Sequence, residues 1–224
     1  MPAEAPLDCL IVGGGAAGNA AAETLRREGY PGSITIFSAD PAPPVDRPNL
    51  SKDYLAGTKS FERMLIRPAA FWAERGIVIG ALCGKAEHAA RHMKAGVEVI
   101  VAQGTEAGGH TGEIATMVLV PQVVQAVGPE VAVLAAGGIA RGSQIAASLA
   151  LGAQGVWCGT VWLGTRESEL DPFEKSVLFE AGADDAVRRK ARTGKTVRML
   201  KSRLSEAWEQ PGAPKHLPTP LQGI

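Results

Sequence analysis

Two glycine-rich segments and one histidine carry the residue types in this sequence that could do chemistry. The first segment, Gly13-Gly14-Gly15-Ala16-Ala17-Gly18, follows the apolar run Leu7 to Val12. A G-x-G-x-x-G between strand and helix excludes a Cβ at three places: a tight turn, the closest backbone approach to a pyrophosphate, and the helix–strand contact. The helix N-terminus attracts the phosphate charge. Asp40 stands 22 residues after Gly18, about where a carboxylate grips a ribose hydroxyl. The second segment runs Gln103-Gly104-Thr105-Glu106-Ala107-Gly108-Gly109-His110-Thr111-Gly112. An imidazole on a glycine-flanked loop can reach over a flat ligand and is the ordinary choice for moving a proton near neutral pH. His110 is therefore the candidate base, and Glu106 is expected to order the loop.

Glycine recurs at two further positions with the same logic. Gly137-Gly138 and Gly159-Thr160 each follow a strand-like run, where bare backbone N–H groups can face a phosphate. In an eight-stranded parallel barrel, the loops after the last two strands bind phosphate at the C-terminal face. Other candidates read blandly. His88 and His92 have an i, i+4 spacing that could clamp zinc, but without a third ligand a solvated helix face is expected and no metal is assigned. Trp157 and Trp162 are expected to pack in the core. Cys9, Cys83 and Cys158 lie in apolar runs and read as small core residues rather than a disulfide frame.

These residues need strands to present them. Strand-length runs occur at Leu7 to Val12, Ser33 to Phe37, Ile77 to Leu82, Val97 to Ala102, Val131 to Ala135 and Gly155 to Cys158. Helical segments lie between them at Ala16 to Glu28, Lys85 to Lys94, Val118 to Val127 and Ser143 to Leu151, with a shorter one around Ala69 to Arg75. The rhythm predicts an α/β fold of parallel βα units. Four prolines, Pro41, Pro43, Pro44 and Pro48, open a long connection without a readable strand, expected to cover a cofactor. After Thr160 the strands are expected to stop, leaving a charged helical tail.

The chain has 224 residues, and 23 Lys and Arg balance 23 Asp and Glu. Zero net charge offers no electrostatic footprint for nucleic acid. Neither a secretory start nor a membrane-length apolar run is readable, so a cytoplasmic protein without membrane partners is expected.

Leu7 to about Gly76 resembles the N-terminus of FAD-dependent pyridine-nucleotide oxidoreductases of the ferredoxin and rubredoxin reductase type. The likeness extends to Asp46-Arg47-Pro48-Asn49-Leu50-Ser51-Lys52, although Val45 stands where that family usually has tyrosine. It implies FAD, with Gly13, Gly15, Gly18 and Asp40 on the nucleotide and Arg47 and Lys52 toward the flavin. From about Ile77 the chain resembles nitronate monooxygenases, also called 2-nitropropane dioxygenases. The carrying residues are the segment Ala102 to Gly112, then Ala135-Ala136-Gly137-Gly138-Ile139, then Gly155-Val156-Trp157-Cys158-Gly159-Thr160. That resemblance implies FMN held at Gln103, Gly104, Gly109, Gly137, Gly138, Gly159 and Thr160, with His110 catalytic. It also implies oxidative denitrification of alkyl nitronates, with a small nitronate or nitroalkane and dioxygen as partners and a homo-oligomer left open. An FAD-dependent NAD(P)H oxidoreductase, a flavin-dependent enoyl reductase and a non-catalytic flavin-binding remnant are the alternatives. The expected architecture is a Rossmann-like βαβ fragment, residues 1–76, joined to half of a TIM-type (βα)8 barrel with its tail, residues 77–224.

Overall fold

The computed structural model describes residues 7–38, 44–46 and 56–217. The chain opens with strand β1 (Cys9–Val12), helix α1 (Ala16–Arg27) and strand β2 (Ile34–Ser38). A 3-10 turn (Phe61–Met64) and helix α2 (Ala69–Ala73) lead into β3 (Ile77–Cys83), α3 (Ala86–Lys94), β4 (Val99–Gln103) and β5 (Gly109–His110). Then come α4 (Thr116–Val127), β6 (Ala132–Ala136), α5 (Gly142–Ala150) and β7 (Gly155–Trp157). Every strand and helix expected up to residue 158 is present, with bounds shifted by no more than two residues. The main sheet has the order β1-β2-β3-β4-β6-β7. Its first pairs are parallel, in the registers Cys9↔Ile34, Ile34↔Ile77 and Gly80↔Val99.

The chain divides into two compact units, one of residues 1–102 with 122–134 and the other of 103–121 with 135–224; the division passes through α4 after Pro121. In the first unit, Ile34, Ile36, Ile77, Ile79, Ile100 and Val101 are buried and supply the β-branched core that a parallel sheet covered on both faces requires. Phe37 pairs with Gly80 across β2 and β3, and its ring occupies the space a Cβ on Gly80 would need. The long connection contributes to this core: Met64 and Trp72 are buried, and Val45 bridges to Leu65. Its described part is therefore packed into the core of this unit.

The second unit departs from expectation beyond β7. Helices α6 (Thr160–Leu163), α7 (Pro172–Glu180) and α8 (Arg203–Ala207) are present, but β8 (Ala186–Arg189) and β9 (Val197–Leu200) stand between the last two. They pair antiparallel, and β5 joins as the third strand, in the order β5-β9-β8. The charge that suggested a helix suits an exposed sheet equally well. What decides is the turn between the strands, where Gly194 takes a φ of +73° that other residues rarely adopt.

Candidate functional site

In the first unit the glycines of the fingerprint segment have different causes: Gly13 has a φ of +122°, whereas Gly14 and Gly18 are held by close contacts. The Gly13 N–H donates to the Phe37 carbonyl at 2.8 Å, which locks the turn after β1 to the end of β2. A Cβ on Gly14 would lie 2.6 Å from Ser38 Oγ, and one on Gly18 would collide with the Gly13 carbonyl oxygen. Gly15 is different: a Cβ there meets no protein atom within 4 Å, so packing alone does not demand glycine. Gly15 caps α1 without a side-chain hydrogen bond, which leaves first-turn N–H groups for an anion. Asp40, Arg47 and Lys52 lie outside the described residues.

In the second unit the remaining site segments come together. Gln103 ends β4, and the next residue, Gly104, donates its N–H to the Ala136 carbonyl at 2.9 Å. A Cβ on Gly137 would lie 2.7 Å from Thr116 Oγ1 and 2.9 Å from the Ala107 nitrogen. One on Gly138 would lie 3.2 Å from Glu106 Cβ, and one on Gly108 would lie 3.4 Å from Thr160 Oγ1. The histidine-bearing segment thus touches the glycine pair after β6 on one side and the start of α6 on the other. Gly109, Gly137 and Gly138 have φ values of +85°, +116° and +70°, a region that glycine enters without strain.

His110 is placed on a strand, not on a free loop. It pairs with Val197 of β9, and its Nε2 lies 2.7 Å from Thr193 Oγ1. The chain beyond it is pinned by Arg188, whose Nη2 donates to the Gly112 carbonyl at 2.7 Å and meets Glu113 at 2.9 Å. Neither Thr193 nor Arg188 was legible as a site residue, because the hairpin carrying them was not.

Glu106 orders the loop. Its Oε2 accepts from the Thr116 N–H at 2.9 Å, the Thr116 hydroxyl at 2.8 Å and the Thr105 hydroxyl at 3.2 Å. Burial pushes the carboxyl pKa up, but these bonds outweigh it and hold Glu106 below the ordinary carboxylate value, so it is ionised near neutrality. Thr116 was missed. Sequence patterning started the helix at Val118, whereas Thr116 is its first residue and is buried.

Two other expectations are corrected. His92 does not lie on a solvated helix face; it is 2% exposed, and its Nδ1 has no partner among the described residues. Residues i and i+4 share a helix face, and here that face turns inward, far enough at His92 to bury it. Trp162 is 62% exposed rather than in the core, because α6 is a single short turn that leaves one side to solvent. Cys83 is buried, and burial pushes its thiol up to about 11 despite an opposing bond from the Lys85 backbone. No group of three His, Cys, Asp or Glu side chains that could hold a metal ion occurs among the described residues. None of their helices is long and apolar enough to cross a membrane.

The model of the family described as nitronate monooxygenase matches residues 68–222. The chain belongs to the nitronate monooxygenase family. A Mycobacterium tuberculosis relative named as a monooxygenase, Rv1533, is 59% identical over 146 residues, which is 65% of this chain and 39% of the relative. A solved structure of nitroalkane oxidase from Streptomyces ansochromogenes is 29% identical with a TM-score of 0.64, covering 89% of this chain and 53% of that one. A second kind of relative matches over 70 residues: the ferredoxin reductase subunit of a 5,5'-dehydrodivanillate O-demethylase from Sphingobium is 53% identical there. That match is 31% of this chain and 17% of the relative. This nitronate monooxygenase family member therefore spans 39% of the first curated relative's length, and part of it is similar to a reductase. Its fold class is the one expected, α/β with parallel βα units of the kind found in half of a TIM-type barrel.

Proposed function

We propose that this chain holds FMN through its phosphate and carries out oxidation of alkyl nitronates. The observation that supports the reading most is the meeting of the Glu106-Ala107-Gly108 segment, which leads into His110, with Gly137-Gly138 and Thr160 in one unit. The residues present fit a phosphate. Gly138 and Gly159 are exposed, and their N–H groups donate to no described residue, so they are open to phosphate oxygens. Gly137 and Thr160 complete the cup, and Gln103, Gly104 and Gly109 line the approach to the ring. When bound, the flavin would carry electrons between nitronate and dioxygen; with dioxygen as both oxidant and source of the carbonyl oxygen, two nitronates and one dioxygen give two carbonyl compounds and two nitrites.

His110 is assigned the proton. With Nε2–H donating to Thr193 Oγ1, Nδ1 is left as the acceptor for the proton of a neutral nitroalkane. A preformed nitronate has no such proton to lose. The hydrogen bond to Thr193 and the strand pairing with Val197 limit the ring's freedom, which keeps the accepting nitrogen aimed.

Residues 1–76 are proposed as a reductase-derived segment joined to the family portion, residues 77–224. Gly13, Gly15 and Gly18 there would meet the pyrophosphate of FAD, with Asp40 at the ribose and Arg47 and Lys52 toward the ring. The 70-residue likeness to a reductase subunit supports this origin. The test is a visible absorption spectrum of the purified protein, followed by chromatography of the flavin released on denaturation. FMN at near one equivalent, together with nitrite release from an alkyl nitronate, is expected. FAD alone, or a colourless protein that takes up no added FMN, overturns the reading.

A further inference from the structure

We propose that Glu106 is a positioning residue for the phosphate cup: its carboxylate clasps Thr116 and, through Thr116 and its own stem, fixes where Gly137 and Gly138 stand. The inference rests on the FMN reading above and deepens it. Three facts carry it. First, Glu106 Oε2 takes both the N–H and the hydroxyl of Thr116, at 2.9 and 2.8 Å, so the two residues move as one. Second, Thr116 Oγ1 lies 3.3 Å from the Ala136 carbonyl and 3.2 Å from that of Gly137. A hydroxyl has one proton, so while Glu106 takes it at the shortest distance the carbonyls are only near neighbours. Remove the carboxylate, and the hydroxyl turns onto the Gly137 carbonyl and draws on the peptide that leads into Gly138. Third, a Cβ on Gly138 would stand 3.2 Å from Glu106 Cβ, so the stem of Glu106 already lies against the backbone that would face the phosphate.

A carboxylate this close to a phosphate site would repel the ligand if its charge were bare. Here three donors converge on one oxygen, two of them from the first residue of α4, where the helix dipole favours negative charge. The charge is spent inside the protein, and the clasp gives the cup rigidity without opposing the phosphate.

The readout is the preference of the protein for FMN over riboflavin, which differ only in the phosphate. Both dissociation constants are measured by fluorescence quenching for wild type, Glu106→Gln, Thr116→Val and Thr116→Ser, with far-UV circular dichroism to show that each variant is folded. Wild type is expected to prefer FMN by at least 100-fold. Glu106→Gln and Thr116→Val should each cut that preference at least tenfold, by weakening FMN and leaving riboflavin unchanged; Thr116→Ser, which keeps the hydroxyl, should restore it. The double variant should lose little more than either single one, as expected of two halves of one clasp. An unaltered FMN preference in folded Glu106→Gln, or equal weakening of both ligands, overturns the positioning role while the cup stands. Wild type binding FMN and riboflavin alike, or neither, overturns the phosphate cup itself and the clasp with it. Should Glu106→Gln not fold, amide chemical shifts of Gly137 and Gly138 in folded Thr116→Val decide the matter: unmoved shifts overturn the proposal.

Discussion

His110 has its Nε2 committed to Thr193 at 2.7 Å, so chemistry at this residue can be separated from structure. If it removes the substrate proton, His110→Ala should slow turnover of neutral nitroalkane by about 100-fold or more and leave preformed nitronate far less affected. Steady-state rates on the two substrates check this, and equal losses would reassign His110 to binding or loop structure. Gly138 offers a second residue-scale test. Its φ of +70° and the nearness of Glu106 leave no room for a large side chain, so Gly138→Leu should abolish FMN retention in a protein that still folds. Undiminished FMN content would remove Gly138 from the cup. His92 yields a pH dependence. Burial first, then the charges of His88 and Arg91, push its pKa below 6.5, against a hydrogen bond to the Leu82 backbone. The unfolded chain therefore binds this proton at a higher pH than the folded one. Its stabilising contribution is complete above about pH 6.5 and is lost as pH falls below that value toward the folded pKa. Urea midpoints measured from pH 7.5 to 5 should fall with pH for wild type and less steeply for His92→Gln. Parallel slopes would show that another group governs the acid side.

At the scale of elements, a single guanidinium ties the first unit together. Arg26, in the last turn of α1, donates to the carbonyls of Tyr30 and Gly32 ahead of β2, and to those of Arg75 and Gly76 ahead of β3. Two connections that would otherwise leave four carbonyls to water are closed by one side chain. Charged hydrogen bonds of this sort contribute about 1.5–3 kcal/mol each when buried and less when exposed. Arg26→Met should therefore destabilise the chain by roughly 2–3 kcal/mol. Chemical denaturation measures it, and a change under about 0.5 kcal/mol would mean that water replaces the arginine without loss. Arg26 lies in residues 1–76, proposed above as reductase-derived, and two of its acceptors, the carbonyls of Arg75 and Gly76, stand at the end of that proposed segment.

For the whole molecule, the question is whether both nucleotide motifs hold a flavin. On the proposed reading the fingerprint would meet a pyrophosphate with Gly13, Gly15 and the N-terminus of α1, but ring burial would contribute most of the apolar term, at roughly 25 cal/mol per Å². The reductase relative matches this chain over 17% of its own length. FAD at substoichiometric occupancy is expected in equilibrium dialysis. Tight one-to-one binding, abolished by Gly15→Trp, would instead show a working FAD domain in the first unit.

Strand and helix positions through β7 were readable in the sequence because apolar runs of strand length alternate with helix-length segments, and glycine marks most of the ends. The fingerprint and the histidine segment were readable because glycine recurs where φ is positive, as at Gly13, Gly109, Gly137 and Gly138, or where a Cβ would collide, as at Gly18 and Gly104. Tertiary structure alone decided the rest. The β8–β9 hairpin was hidden because charged residues suit an exposed strand as well as an exposed helix. With it were hidden Thr193 and Arg188, the partners of the His110 segment. His92 looked solvated because a polar residue's burial depends on what its helix face meets, which no local pattern records. Thr116 and Glu106, 10 residues apart, could be joined only once α4 had brought its first N–H to the carboxylate. Local sequence states which backbone shapes are allowed, and only packing determines which distant groups those shapes bring into hydrogen-bond range.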